Sequence, residues 1–201
     1  MAGRLILASR SPRRCDLLKQ VGLDFDVIPS GVEEDSIQGE SPHEHVLRLA
    51  EAKAKDVGRR CPNCWVIAAD TIVYINSSIL GKPGNRDEAI EMLHCLSGKE
   101  HWVLTGFSVR HFEKGRADRQ AVQTAVKVKT LTPAEIEWYI QTGEPFDKAG
   151  GYAIQGIGSF MIESIRGSYT NVVGLPLSEL IQMLNCLGAL TISEYGFQIA
   201  P

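Results

Sequence analysis

Val66-Ile67-Ala68-Ala69-Asp70-Thr71-Ile72-Val73-Tyr74-Ile75 is almost unbroken apolar sequence, interrupted only at Asp70 and Thr71. A run of this kind reads as a buried strand. A carboxylate inside it must be paired, bound to a metal or protonated. The bland alternative is an acid at a strand end, capped by local N–H groups.

Strands alternate with helices on either side of this stretch. Upstream, Leu5–Ala8 is a short apolar strand, followed by Ser11 and Pro12 as N-cap and first helical position. The helix carries Leu17, Leu18 and Val21 and is expected to end near Gly22. Ser41-Pro42-His43-Glu44 has capping-box spacing and opens a second helix, expected to run to about Val57 with Gly58 past its end. Downstream, Ala89, Met92, Leu93 and Leu96 have helical spacing. Trp102–Val109 and the strictly alternating Val122–Val128 read as strands. Thr132-Pro133-Ala134-Glu135 opens a short helix, Phe160–Ile165 is a last strand, and Leu177, Leu180, Ile181, Leu184 and Leu187 form the stripe of a final helix. The pattern predicts an α/β domain with a mixed sheet covered by helices. Ala189–Pro201 shows no clear period and is assigned no element.

The 201 residues allow one domain or at most two small ones. Hydrophobic residues at 44% and charged residues at 22% are ordinary for a globular protein and exclude a collagen-like or disordered chain. No apolar run approaches the ~18 residues of a membrane span, and Leu5–Ala8 is too short for a signal segment. A net charge of −3 argues against a nucleic-acid binder, so any anion site must come from a local gathering of cations. Five cysteines at irregular spacing fit free thiols in the cytoplasm.

Several positions could carry chemistry. Ser9-Arg10-Ser11-Pro12-Arg13-Arg14 lies where a strand hands over to a helix, and a helix N-terminus favours an anion. Two arginines in that first turn are unfavourable unless an anion arrives; the plain reading is a solvated pair. Lys53 shares a helix face with Val46, Ala50 and Val57, so it either snorkels to the rim or reaches into a cleft. Glu33-Glu34-Asp35 is a solvated acidic loop or a source of oxygen ligands for a hard cation. Lys82, in Gly81-Lys82-Pro83, is taken alone a turn residue. The glycine-rich 143–158 segment matches no phosphate or dinucleotide fingerprint, but it lets backbone approach a ligand, and Gln155 could read a base edge. Cys61-Pro62-Asn63-Cys64 is a lone CxxC, read as an incidental turn before the strand, with a redox or zinc role as the alternative. His43 and His45 point to different helix faces and are poor joint ligands.

Taken together, the blocks Leu5–Arg14, Ala68-Ala69-Asp70-Thr71, Leu80-Gly81-Lys82-Pro83, Leu96-Ser97-Gly98 with His101, Glu144–Gly150, Ile154-Gln155-Gly156 and Asn171–Leu177 resemble the Maf family of nucleoside triphosphate pyrophosphatases. They occur in the family's order over about residues 5–188. The resemblance implies a single domain over 1–188, a tail of unassigned role over 189–201, and an elongated mixed sheet flanked by helices with a cleft between two lobes. It also implies a cytoplasmic, usually dimeric hydrolase that needs a divalent cation, Mg²⁺ or Mn²⁺, and cleaves a nucleotide into monophosphate and pyrophosphate. Neither nucleic acid nor membrane is an implied partner.

By motif position, Asp70 matches the general base. Arg13, Thr71 and Gln155 match positions associated with base choice, and Ser9, Arg14, Glu34, Lys53 and Lys82 match other active-site positions. Asp70 could deprotonate the attacking water or hold the metal, with Glu34 as the other metal carboxylate. The chain is similar to the subgroup acting on dTTP, UTP and related pyrimidines. The 7-methyl-GTP subgroup instead has Trp at the Arg13 position and Gln at the Thr71 position. The alternatives are a 7-methyl-GTP enzyme and a non-catalytic nucleotide-binding module. A magnesium-bound triphosphate carries about two net negative charges, which cations gathered from separate chain segments could neutralise at a phosphoryl-transfer site.

Overall fold

The computed structural model describes residues 3–35, 37–76, 78–193 and 196–200. It is a mixed α/β fold. The sheet order is β2-β1-β3-β5-β6-β7, with β4 paired to β3. Contacts divide the chain into two compact units, Met1–Asp70 with Thr105–Val122 and Gly174–Pro201, and Thr71–Leu104 with Gln123–Val173. Strands β3 (Cys64–Ile75), β5 (Glu100–His111) and β6 (Arg116–Val128) each pass from one unit into the other.

In the first unit β1 (Arg4–Leu7) runs parallel to both β2 (Asp26–Val27) and β3, with Leu7 opposite Val27 and Ile67. Successive strand residues face opposite sides, so Val66, Ala68 and Asp70 share one face of β3. Val66 and Ala68 are buried with Ile6 of β1, with Ala8 just past its end, and with Ala54 and Val57 of helix α2 (Pro42–Arg60). Asp70 is the next position along that covered row, and Lys53 is the neighbour of Ala54 on the covering helix. Helix α1 (Pro12–Gln20) begins at Ser11, whose side chain caps the Arg14 N–H. The capping box of α2 forms as expected, but the helix runs on past Gly58 to Arg60. Gly58 has an ordinary helical backbone and is buried, so it acts as a packing residue and not as a terminator. Helix α6 (Leu177–Cys186) and the antiparallel hairpin of β8 (Leu190–Ser193) and β9 (Gly196–Ile199) complete this unit; the hairpin lies in the tail to which no element was assigned.

The second unit packs Val73 and Ile75 of β3 against α3 (Arg86–Leu96) and α4 (Pro133–Gln141) through Ala89, Leu93, Leu96, Ile136, Tyr139 and Ile140. β4 (Ser78–Leu80) folds back on β3, reversing through Asn76 at a positive φ of 49°. The glycine-rich segment forms three short 3₁₀ turns, and β7 (Ile162–Arg166) starts two residues later than expected because Ile157–Met161 is such a turn; it is not the last strand, since β8 and β9 follow. The short helix α5 (Tyr169–Val173) follows.

Candidate active site

Lys53 joins two acidic residues of the first unit. Its ammonium Nζ donates to Glu34 Oε1 at 2.6 Å and to Asp70 Oδ1 at 2.8 Å. The lysine and aspartate side chains are 7% and 9% exposed, whereas the Glu34 side chain is 57% exposed. The lysine therefore does not snorkel; it turns inward, because its helix face lies over the strand row that ends in Asp70. The aspartate is paired, and by a cation instead of by the local N–H groups of the bland alternative. The result is a carboxylate–ammonium–carboxylate row that runs from the interior to the surface.

Ser9 and Arg14 build a second cluster in the same unit. Arg14 Nη1 donates to Ser9 Oγ at 3.2 Å and to the Ala69 carbonyl at 2.9 Å, and Nε donates to the Gly174 carbonyl at 2.8 Å. Ser9 Oγ also accepts from the Ser11 N–H at 3.1 Å. Arg14 is thus no solvated arginine. Burial lowers its guanidinium from the ordinary value, the charges of Asp70 and Glu34 oppose that, and Arg13 adds to it. It anchors the start of α1 beside the backbone that leads into Asp70. Arg13, one position earlier, is half-buried.

Six of the expected residues, Ser9, Arg13, Arg14, Glu34, Lys53 and Asp70, lie in this unit. Thr71, Lys82 and Gln155 lie in the other. There Lys82 is exposed, in a turn whose Gly81 carbonyl accepts from the Gly150 N–H at 2.9 Å. Half-buried Gln155 precedes Gly156, Ile157 and Gly158. The Glu144 carboxylate accepts from the Ile157 and Gly158 N–H groups, both at 2.9 Å, and from the Tyr139 hydroxyl at 3.1 Å. A side chain at Gly156 would meet Glu144 Oε2 at 2.8 Å, so the close wrap of backbone round carboxylate needs glycine there.

Cys61 is the C-cap of α2 and Cys64 opens β3, so the CxxC overlaps the strand it was expected to precede; both thiols are free. Among the described residues no three His, Cys, Asp or Glu side chains gather to hold a metal, and no helix is long and apolar enough to cross a membrane. Two arrangements were not foreseen. Arg48 and His45 both bind Glu40, and His101 bonds to Tyr152. His101 stood within a recognisable block, but its partner is 51 positions away.

This combination of fold and polar core has a family. The chain belongs to the Maf family, matching the description "Maf-like protein" over residues 4–187. Among its relatives, the dTTP/UTP pyrophosphatase of Syntrophus aciditrophicus (strain SB) is 53% identical over 190 residues, 94% of this chain and 93% of the relative. The dTTP/UTP pyrophosphatase of Syntrophotalea carbinolica is 49% identical over 190 residues, 94% of this chain and 86% of the relative. The Ham1 protein of Staphylococcus aureus is a remote structural neighbour, with 19% identity, 79% of each chain covered and a TM-score of 0.42.

Proposed function

We propose that this chain hydrolyses pyrimidine nucleoside triphosphates, dTTP and UTP foremost, to the monophosphate and pyrophosphate. The high identity to dTTP/UTP pyrophosphatases over nearly the whole chain supports the substrate class. The observation that carries the chemistry is the buried Lys53 ammonium holding Asp70 and Glu34 together. A charged row of this kind costs desolvation and is poor value as a purely structural device; it is well suited to a site where charge is neutralised and water is activated.

In this reading the Asp70 carboxylate takes a proton from a water molecule as the water oxygen bonds to the α-phosphorus. The bond from that phosphorus to the bridging oxygen breaks, and pyrophosphate leaves with its electron pair. Lys53 fixes the direction of both carboxylates, and Ser9 and the start of α1 with Arg13 and Arg14 offer donors and positive charge to the phosphates. Thr71, Gln155 and Lys82 are proposed nucleotide contacts on the family resemblance alone. Glu34 and Asp70 are hard oxygen donors. They would hold a Mg²⁺ or Mn²⁺ ion, a hard cation that oxygen donors suit. Such an ion supplies charge neutralisation of the phosphates.

Pyrophosphate release from dTTP, UTP, CTP and 7-methyl-GTP with Mg²⁺ or Mn²⁺ tests the proposal. dTTP and UTP are expected to be cleaved faster than 7-methyl-GTP. No turnover of any of them would overturn the function, and a preference for 7-methyl-GTP would overturn the substrate class. Asp70→Asn is expected to keep the wild-type melting temperature and to lose at least ~10²-fold in rate; a near-normal rate would remove Asp70 from its role.

A further inference from the structure

The segment from Pro29 to Glu40 contains no helix or strand among its described residues, yet it is tied to α2 at turn after turn of that helix. Arg60 Nη2 donates to the Pro29 carbonyl at 3.0 Å, and the Gly31 N–H donates to Asp56 Oδ2 at 3.0 Å. Lys53 then takes Glu34. Arg48 Nη2 donates to the Asp35 carbonyl at 2.9 Å. The same guanidinium grips Glu40 in two parallel bonds, Nε to Oε1 at 2.5 Å and Nη2 to Oε2 at 2.8 Å, while His45 Nδ1 lies 3.0 Å from Oε2. The Glu40 side chain is only 9% exposed, and these partners hold its carboxyl down at about 2, with the Arg48 bond the largest cause.

We infer that Arg48, working through Glu40 and the Asp35 carbonyl, is a positioning residue for Glu34. This rests on the reading of Glu34 as an active-site carboxylate. Glu34 is more than half exposed, and one ion pair at that exposure is too weak to order an irregular segment by itself. Ties on the backbone to either side add to that order. Arg48 supplies one of them, one residue away, with a planar fork that grips the Glu40 carboxylate through two nitrogens while bonding the Asp35 carbonyl; a lysine, with one nitrogen, loses the two-point grip. Arg48 and Lys53 stand on one rigid helix, so holding Asp35 against Arg48 sets where Glu34 meets Lys53.

The test is a cycle of Glu34→Gln, Arg48→Ala and the double variant, assayed for pyrophosphate release from dTTP with Mg²⁺, with circular dichroism melts alongside. Arg48→Ala is expected to lower kcat roughly 10-fold or more, as misplacement of a reacting group does, with little change in KM. Arg48→Lys should recover only part of the rate. The double variant should be no slower than Glu34→Gln alone, because the positioned group is already gone. An Arg48→Ala rate within about twofold of wild type, or losses that multiply in the double variant, would overturn the inference. Glu34→Gln at the wild-type rate would overturn the reading of the site itself, and the role of Arg48 with it. Should Arg48→Ala not fold, Glu40→Gln, which loosens the same clamp without creating a hole, takes its place in the cycle with the same expected and overturning results.

Discussion

His101 links protonation to stability. It is 1% exposed on β5, its Nε2 is 2.6 Å from the Tyr152 hydroxyl, and the rings meet edge to face at 5.2 Å. Burial pushes its imidazole down from the ordinary 6.5 to about 4. Between those values the unfolded chain binds a proton that the folded chain refuses. Stability from this group is therefore complete above about pH 6.5 and falls as the pH drops toward 4, by about 3 kcal/mol at ~1.4 kcal/mol per unit. Glu40 and Glu135, both held at about 2, act in the lower window from 4.5 downward. Urea titrations at steps from pH 7 to 4.5 are expected to show a flatter decline for His101→Gln than for the wild type; parallel curves would show that His101 is not the group responsible. The same single-residue logic explains why Lys53 could not be resolved beforehand. A lysine bordering an apolar stripe has two destinations, and only the strand beneath the helix chooses.

Helix α2 and strand β5 approach unusually closely. A side chain at Gly106 would lie 2.4 Å from the Val46 carbonyl oxygen and 2.5 Å from its carbon, both backbone atoms that cannot swing aside. Gly106→Ala should therefore push α2 off the strand, cost about 2 kcal/mol and slow the proposed reaction, since α2 carries Lys53 and Arg48. Gly58→Ala on the same helix is expected to do the reverse. It lies inside the helix without a positive φ, and its added carbon would meet the flexible Arg110 side chain at 3.6 Å and the Phe112 Cβ at 3.9 Å, both ordinary contacts. The gain should be roughly 0.5–1 kcal/mol. Equilibrium denaturation of the two variants checks both signs. Gly58 is also where the expected helix end failed. Glycine after an apolar stripe is the usual stop, but here Arg60 and Asp56 bind the Pro29–Gly31 backbone and draw the helix one turn further.

The two compact units are each assembled from separate chain segments, so neither can be excised by cutting at one linker. The tail belongs to the first unit. The Gly3 N–H donates to the Ile199 carbonyl at 3.1 Å, and the Ala200 N–H donates to the Ala189 carbonyl at 2.9 Å. Removing residues 191–201 is expected to lower the melting temperature by a few degrees, at about 2–4 °C per kcal/mol for a chain of this size. Turnover of dTTP should stay within about twofold, because the backbone hydrogen bonds that tie the hairpin down run between Gly3 and Ile199 and between Ala200 and Ala189, away from the polar core around Lys53. Loss of activity at a temperature where the truncated chain is still folded would contradict this.

Helix starts, the buried central strand, the alternation of elements and the family membership were all readable from the chain. Ser11, Ser41 and Thr132 cap the helices they were expected to cap, and the β3 run is a strand. These features depend on residues within a turn or a few positions of each other, so local spacing encodes them. The two-residue β2, the fold-back of β4, the exposed first half of β6 and the tail hairpin carry no such spacing; each exists because a partner strand is already in place. The candidate site divides in the same way. Its residue types stand out locally, but Lys53 meets Asp70 across 17 positions and Arg14 meets Gly174 across 160. A long side chain goes where desolvation and an opposite charge leave it the lowest free energy, and both are properties of the packed neighbourhood, not of the chain.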